Sequence, residues 1–238
     1  MLFEIENLSK SFGDIVALSD VTFQVRAGEV LGLIGPNGAG KTTLFECLAG
    51  VLPCDGGKLR ANGEEIPGDR RSTILFYVPD QIAPWGAQSL RWALDYATGF
   101  FGGRQDLRDE LVGELDLGPL LRRPIAALSK GQRKRALLAI GLLTPQPALL
   151  IDEPFDGLDL RQTREVAARL RAHAGRGRTL FLSIHQIGDA ARFCDRFVLL
   201  SNGRVRGEGT VSELASQAAS DHPEGTFGSL EEVFLALT

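Results

Sequence analysis

Several clusters in this chain combine residue types at the spacings that phosphate chemistry requires. In Gly35-Pro36-Asn37-Gly38-Ala39-Gly40-Lys41-Thr42-Thr43, the glycines permit a tight turn whose successive N–H groups converge on phosphate oxygens. Gly35, Asn37, Gly38 and Gly40 therefore frame a nucleoside polyphosphate. Lys41 adds charge toward the β- and γ-phosphates, and Thr42 offers a hydroxyl to Mg2+. Thr43 continues into a helix whose N-terminal dipole also favours an anion. The bland alternative is a glycine turn joining a strand to a helix, and it leaves the lysine and threonine without a purpose.

Leu149-Leu150-Ile151-Asp152-Glu153 brings two carboxylates to the end of an apolar run. Asp152 suits the Mg2+ shell, and Glu153 suits a base that polarises water for attack on the γ-phosphate; alone, the pair reads equally as an acidic turn capping the next helix. His185 follows the apolar run 179–184, either as a satisfied structural histidine or as a donor beside the γ-phosphate. Ser129, in Leu128-Ser129-Lys130-Gly131-Gln132, precedes a long helix and is an N-cap or part of a second anion site. Phe12, in the turn expected over 11–14, either packs on a hairpin or stacks on adenine.

The elements that must position these residues follow from periodicity. Strands are expected over 2–8, 16–25, 30–34, 58–61, 74–78, 148–151, 179–184 and 197–200. Helices are expected from 43 onward, and over 89–96, 107–115, 130–143, 160–174, 212–219 and 229–237. The run of helices after Asp80 reads as an insertion into an α/β sheet domain.

With 26 basic and 30 acidic side chains, the chain carries a formal charge of −4, which argues against a broad grip on nucleic acid. Cys47, Cys54 and Cys194 are too few and too irregular for a disulfide framework or a zinc site, and each is expected to pack as a small apolar group in a reducing compartment. The opening residues show no signal-peptide pattern, and no apolar run approaches the roughly 20 residues that cross a bilayer.

Leu128-Ser129-Lys130-Gly131-Gln132 resembles the LSGGQ signature of the ATP-binding-cassette (ABC) ATPases, and the other motifs fall in that family's order over nearly the whole chain. The resemblance implies an α/β fold, a P-loop NTPase of the ABC type. It has a mixed, mostly parallel sheet core, an N-terminal antiparallel β-subdomain and an inserted helical subdomain. Residues 1–238 would form one domain, with 1–79 and 145–238 as nucleotide-binding core and 80–144 helical. It also implies Mg2+-dependent ATP hydrolysis, with Phe12 on the adenine, His185 as the switch histidine, and Phe155-Asp156-Gly157-Leu158-Asp159 at a dimer interface. Ser129, Gly131 and Gln132 of one subunit would complete the ATP site of another in a head-to-tail homodimer or a paired dimer.

A separate membrane permease, an address on the cytoplasmic inner face of the cell membrane, and no nucleic-acid partner follow from the same likeness. Trp85 and Trp92 are either permease contacts or core. The ending Gly228-Ser229-Leu230-Glu231-Glu232-Val233-Phe234-Leu235 resembles that of exporter-type members. Rival readings are a soluble ABC ATPase remodelling a nucleic-acid or ribosomal complex, and a P-loop kinase. Two departures stand out: Lys130 replaces a signature glycine, and Asp80 occupies the place of the family's metal-facing glutamine, with Gln81 one residue later.

Overall fold

The computed structural model describes residues 2–80, 82–185, 187–225 and 227–238. Two long strands open the chain, β1 (Phe3–Phe12) and β2 (Ile15–Val25), paired antiparallel from Phe3 opposite Val25 to Phe12 opposite Ile15. The turn between them is only Gly13-Asp14, so Phe12 ends a strand instead of sitting in the turn expected over 11–14. Next come β3 (Val30–Ile34), the glycine loop and α1 (Lys41–Ala49). β4 (Gly56–Ala61) and β5 (Glu64–Glu65), joined through Asn62-Gly63, extend the first pair into a four-stranded sheet of order β2-β1-β4-β5.

A 3₁₀ segment, Gly68–Thr73, leads to β6 (Leu75–Val78). The helices α2 (Leu90–Phe100), α3 (Gln105–Glu114) and α4 (Lys130–Leu143) follow. α2 runs one turn beyond its expected end, since Ala97 and Thr98 are buried and keep the apolar stripe going. The remaining elements are β7 (Ala148–Ile151), α5 (Leu160–Gly175), β8 (Thr179–Ile184), α6 (Ile187–Phe193), β9 (Arg196–Ser201), β10 (Arg204–Gly209), α7 (Val211–Asp221) and α8 (Leu230–Leu237).

The main sheet has the order β10-β9-β3-β8-β7-β6, parallel except for β10 at one edge. β3, β7 and β8 are buried along their full length because both faces are covered, which is why they read as unbroken apolar runs. Alternation survives within them. Leu149, Ile151, Leu180 and Leu182 pack with α2–α4, while Ala148, Leu150 and Phe181 pack with α1 and the four-stranded sheet. Phe45 of α1 is fully buried, its ring 4.9 Å from Phe181 of β8. Burying a side chain of that size contributes about 2–3 kcal/mol, which seats α1 and the loop before it on the sheet.

Candidate functional site

β3, β8, β7 and β6 are consecutive neighbours in the sheet and parallel, so their carboxyl ends share one edge. Each end delivers one sequence-predicted residue or group: the glycine loop after β3, His185 after β8, Asp152-Glu153 after β7, and Asp80 after β6. Ligands bind at this edge in open α/β sheets.

Gly35 is buried against the Leu200 carbonyl, whereas Asn37, Gly38 and Thr42 are exposed and Thr43 half-buried. Gly40 has φ +103°, and a Cβ there would stand 2.7 Å from the Ala17 carbonyl oxygen, so only glycine fits the turn into α1. No side chain caps α1, leaving its first N–H groups directed at the loop. Lys41 folds back into the loop, donating to the carbonyls of Gly35 at 2.8 Å and Pro36 at 3.1 Å. Burial lowers its pKa, against the pull of Glu153 and Asp152.

A connected set of polar contacts runs outward from this loop. Thr42 donates to Asp152 Oδ2 at 2.9 Å, and the Tyr77 hydroxyl approaches the same oxygen at 3.4 Å. Ser183 Oγ donates to Asp152 Oδ1 at 2.5 Å, lies 3.3 Å from Glu153 Oε1, and accepts the Glu153 N–H at 2.9 Å. His185 Nε2 stands 2.8 Å from Glu153 Oε1. Burial pushes the Glu153 carboxyl up to about 7, even though Lys41 pulls it down. His185 moves the other way, lowered by burial and then by Lys41. Glu153 also has φ +50°, a left-handed backbone that a non-glycine residue adopts only where its surroundings demand it.

Asp152, Glu153 and His185 line one open cleft with Asn37, Gly38 and the stretch 40–43, together with Ile15, Val16, Ala17 and Asp80. Ile15 and Val16 are exposed apolar side chains at the start of β2. Phe12, also exposed, lies opposite Ile15 across the hairpin, with Lys10 Nζ 5.5 Å above its ring, and is not among the residues lining the cleft.

Sequence reasoning missed Lys134. It lies on α4 with its side chain 2% exposed, and it donates to Asp80 Oδ1 at 2.6 Å and to the Asp152 carbonyl at 3.1 Å. Asp80 is thus neutralised by a buried ammonium from the helix that begins at the signature; Gln81 lies outside the described residues. No spacing in the chain announces a contact across 54 residues. Ser183 was visible only as part of a strand.

Ser129 caps α4 in a reciprocal box: its Oγ accepts the Gln132 N–H at 3.3 Å, and Gln132 Oε1 accepts the Ser129 N–H at 3.0 Å. Gly131 packs so tightly that a Cβ would meet the Gly157 carbonyl oxygen at 2.5 Å. Lys130, the departure from the signature, forms an ion pair with Asp156 of the segment that follows Glu153. Ser129 and its neighbours do not line the cleft of their own chain.

A glycine loop at a strand-to-helix junction, beside a hydroxyl-bound aspartate and a buried glutamate on the neighbouring strand ends, defines a P-loop nucleotide-binding domain. Comparison with known proteins narrows this. The family model described as ABC transporter matches residues 18–156, more than half of the chain. The chain is 34% identical over 221 residues to the Nod factor export ATP-binding protein I of Ralstonia nicotianae, covering 90% of this chain and 68% of that protein. It is 33% identical over 231 residues to the hemin import ATP-binding protein HmuV of Pseudomonas entomophila, covering 92% and 90%. A solved ATP-binding subunit of an ABC transporter superposes with a TM-score of 0.86 at 30% identity, over 100% of this chain and 99% of that one. The chain belongs to the ABC transporter family, as its ATPase cassette. No helix among the described residues is long and apolar enough to cross a membrane.

Proposed function

We propose that the chain hydrolyses Mg2+-bound ATP in head-to-tail pairs and drives export through a separate permease. The observation that carries the hydrolytic reading is the contact chain Thr42–Asp152–Ser183–Glu153–His185 at the mouth of the glycine loop. Lys41 and the α1 N–H groups suit the phosphates. Thr42 and Asp152 present hard oxygen donors fit for Mg2+, with Asp80 and Gln81 as further candidates. Mg2+ held there neutralises charge on the phosphate oxygens. Glu153 takes the proton of the attacking water, since a base with a pKa near 7 is well matched to that task. His185 holds the Glu153 carboxylate and faces the γ-phosphate. Phe12, Ile15 and Val16 offer apolar surface to the adenine.

Ser129, Gly131 and Gln132 cannot serve the cleft of their own chain, which supports their completing a partner's site. Residues 80–144 are the helical subdomain in this reading, and it carries an exposed aromatic row. Trp92, Tyr96 and Phe100 recur at i, i+4 and i+8 on α2, stacked at 5.2 and 6.1 Å, with Trp85 against them at 5.1 Å from Tyr96. All four are 40% exposed or more, and an apolar row of that size marks a partner surface, here the permease. Relatives of this chain include both an export and an import protein by name, so export rests on the resemblance of residues 228–235, which carry the Ser229 cap and most of α8. The chain would then sit on the cytoplasmic face of the cell membrane. Affinity purification of the tagged chain from solubilised membranes tests this, with a multi-spanning protein expected in comparable yield. Recovery with ribosomes or nucleic acid instead would overturn it.

A further inference from the structure

Arg71, near the end of the 3₁₀ segment Gly68–Thr73, is buried at 7% exposure, and among the described residues no carboxylate forms a salt bridge with it. Its guanidinium donates from Nε to the Ile66 carbonyl at 3.3 Å. From Nη1 it donates to the Cys47 carbonyl at 2.5 Å and reaches the Cys54 sulfur at 3.6 Å. A buried cation without a carboxylate favours whatever anion forms beside it. Cys54 is the group at that position able to become one.

The fold also supplies a second thiol. Cys47 lies in the last turn of α1, which Gly50 closes in a left-handed conformation; the N–H groups of Val51 and Leu52 then both turn back onto the Glu46 carbonyl. The reversal brings Cys54 back beside the end of α1, where one Arg71 nitrogen contacts both the Cys47 carbonyl and the Cys54 sulfur, and each thiol shifts the ionisation of the other. Lys10, held by Asp55 at 2.9 Å, adds further positive charge. Cys47 is buried and Cys54 half-buried, so only the second is open to a small reagent. Both cysteines pack with the apolar cluster around α1, as expected, and Cys54 in addition touches a guanidinium.

We propose that Cys54 and Cys47 form a peroxide-reactive dithiol site, with Cys54 as nucleophile and Cys47 as resolving thiol. The Cys54 thiolate attacks one oxygen of hydrogen peroxide, an S–O bond forms, the O–O bond breaks, and hydroxide leaves, taking up from solvent the proton that Cys54 released on ionising. The Cys47 sulfur then attacks the sulfenic sulfur, an S–S bond forms, and the S–O bond breaks as hydroxide takes the Cys47 proton. Two thiols are oxidised by two electrons in all, and one peroxide is reduced to two waters. The neighbouring Cys47 thiol, Arg71 and Lys10 together lower the Cys54 thiol to about 6 against the opposing effect of burial, while Cys47 is raised and stays protonated. Because Cys47 belongs to the helix that starts at Lys41, the disulfide would fasten the far end of the phosphate-loop helix to the strand-entry loop before β4.

The test uses the full reduced chain. Alkylation of Cys54 with iodoacetamide, followed by peptide mapping, should titrate with a midpoint near pH 6. At pH 6 it should run about tenfold faster than a free cysteine peptide, once the lower nucleophilicity of a low-pKa thiolate is allowed for. Hydrogen peroxide should join Cys47 to Cys54 within one chain and leave Cys194, buried and raised in pKa, unreacted. In Cys47→Ser the sulfenic acid on Cys54 should persist and be trapped by dimedone, and Arg71→Met should move the alkylation midpoint upward. A Cys54 that titrates like a free thiol, or peroxide treatment that gives only links between chains, would overturn the proposal.

Discussion

Two helices in this molecule begin beside sites that handle charge, and they begin in opposite ways. α1 starts at Gly40 with no side-chain cap, so its first-turn N–H groups stay available for an incoming anion. α4 starts at Ser129 with a complete capping box, in which Ser129 and Gln132 satisfy each other's backbone donors. The uncapped end forgoes the roughly 0.5–2 kcal/mol that a cap contributes and keeps its donors for phosphate. The capped end is self-sufficient and waits, with only the Ser129 hydroxyl proton and a tightly packed glycine to offer. In the proposed dimer, one end is a site by itself and the other is half of one.

The sharpest break of this contrast falls on Glu153, the carboxylate proposed as base beside α1. Glu153→Gln should cut turnover by about 10²–10⁴-fold while ATP binding persists, measured by phosphate release and by equilibrium binding. The wild-type rate should fall as pH drops through about 7, because Glu153 must be ionised to act as base. The same shift bears on stability. The folded pKa lies above the unfolded one, so the neutral acid costs nothing at low pH, and a penalty of about 3 kcal/mol accrues as pH rises from 4.5 to about 7 and is complete above that. Glu153→Gln should therefore raise the melting temperature at pH 8 and leave it nearly unchanged at pH 4.

A smaller effect tests whether the two helix ends meet across a dimer. Lys41→Ala and Ser129→Arg chains should each be inactive, yet an equal mixture should recover up to about a quarter of wild-type turnover, since mixed dimers keep one intact site. No recovery, in a mixture shown to exchange subunits, would place both ends in separate functions. The smallest change is Ser129→Ala, which removes the capping box and should cost about 1 kcal/mol in denaturant unfolding. Gly40→Ser would be the converse, but the Ala17 carbonyl leaves no room for its Cβ.

Much of this was legible in the residues and some was not. α4 and β7 match their expected spans to the residue, because a serine cap opens the first and Pro147 and Pro154 bracket the second. β10 escaped notice: Arg204-Val205-Arg206-Gly207-Glu208-Gly209 has low strand propensity, and pairing with β9 imposes its conformation. The Asn202-Gly203 turn was the signal that could have revealed it. Within the site, the loop and both carboxylates were legible because they are local motifs on a strand-to-loop junction. Ser183 and Lys134 were not, because their roles arise from contacts 31 and 18 residues away from Asp152 in sequence.

Lys134 gives α4 a fulcrum. Its ammonium is sealed between Asp80 and the Asp152 carbonyl, so tilting the helix about any other point would strand a buried charge. Breaking such a pair costs about 3–5 kcal/mol, a large share of the stability of a domain this size. Ser129 precedes Lys134 by five residues, only about 7.5 Å along the helix axis, and so rides on the short arm of the lever. Any tilt of the helical layer pivoting there would therefore be reduced at the signature. The outward-facing Ser129 would then keep nearly constant register with Glu153, whose neighbour Asp152 takes the other end of the Lys134 contact.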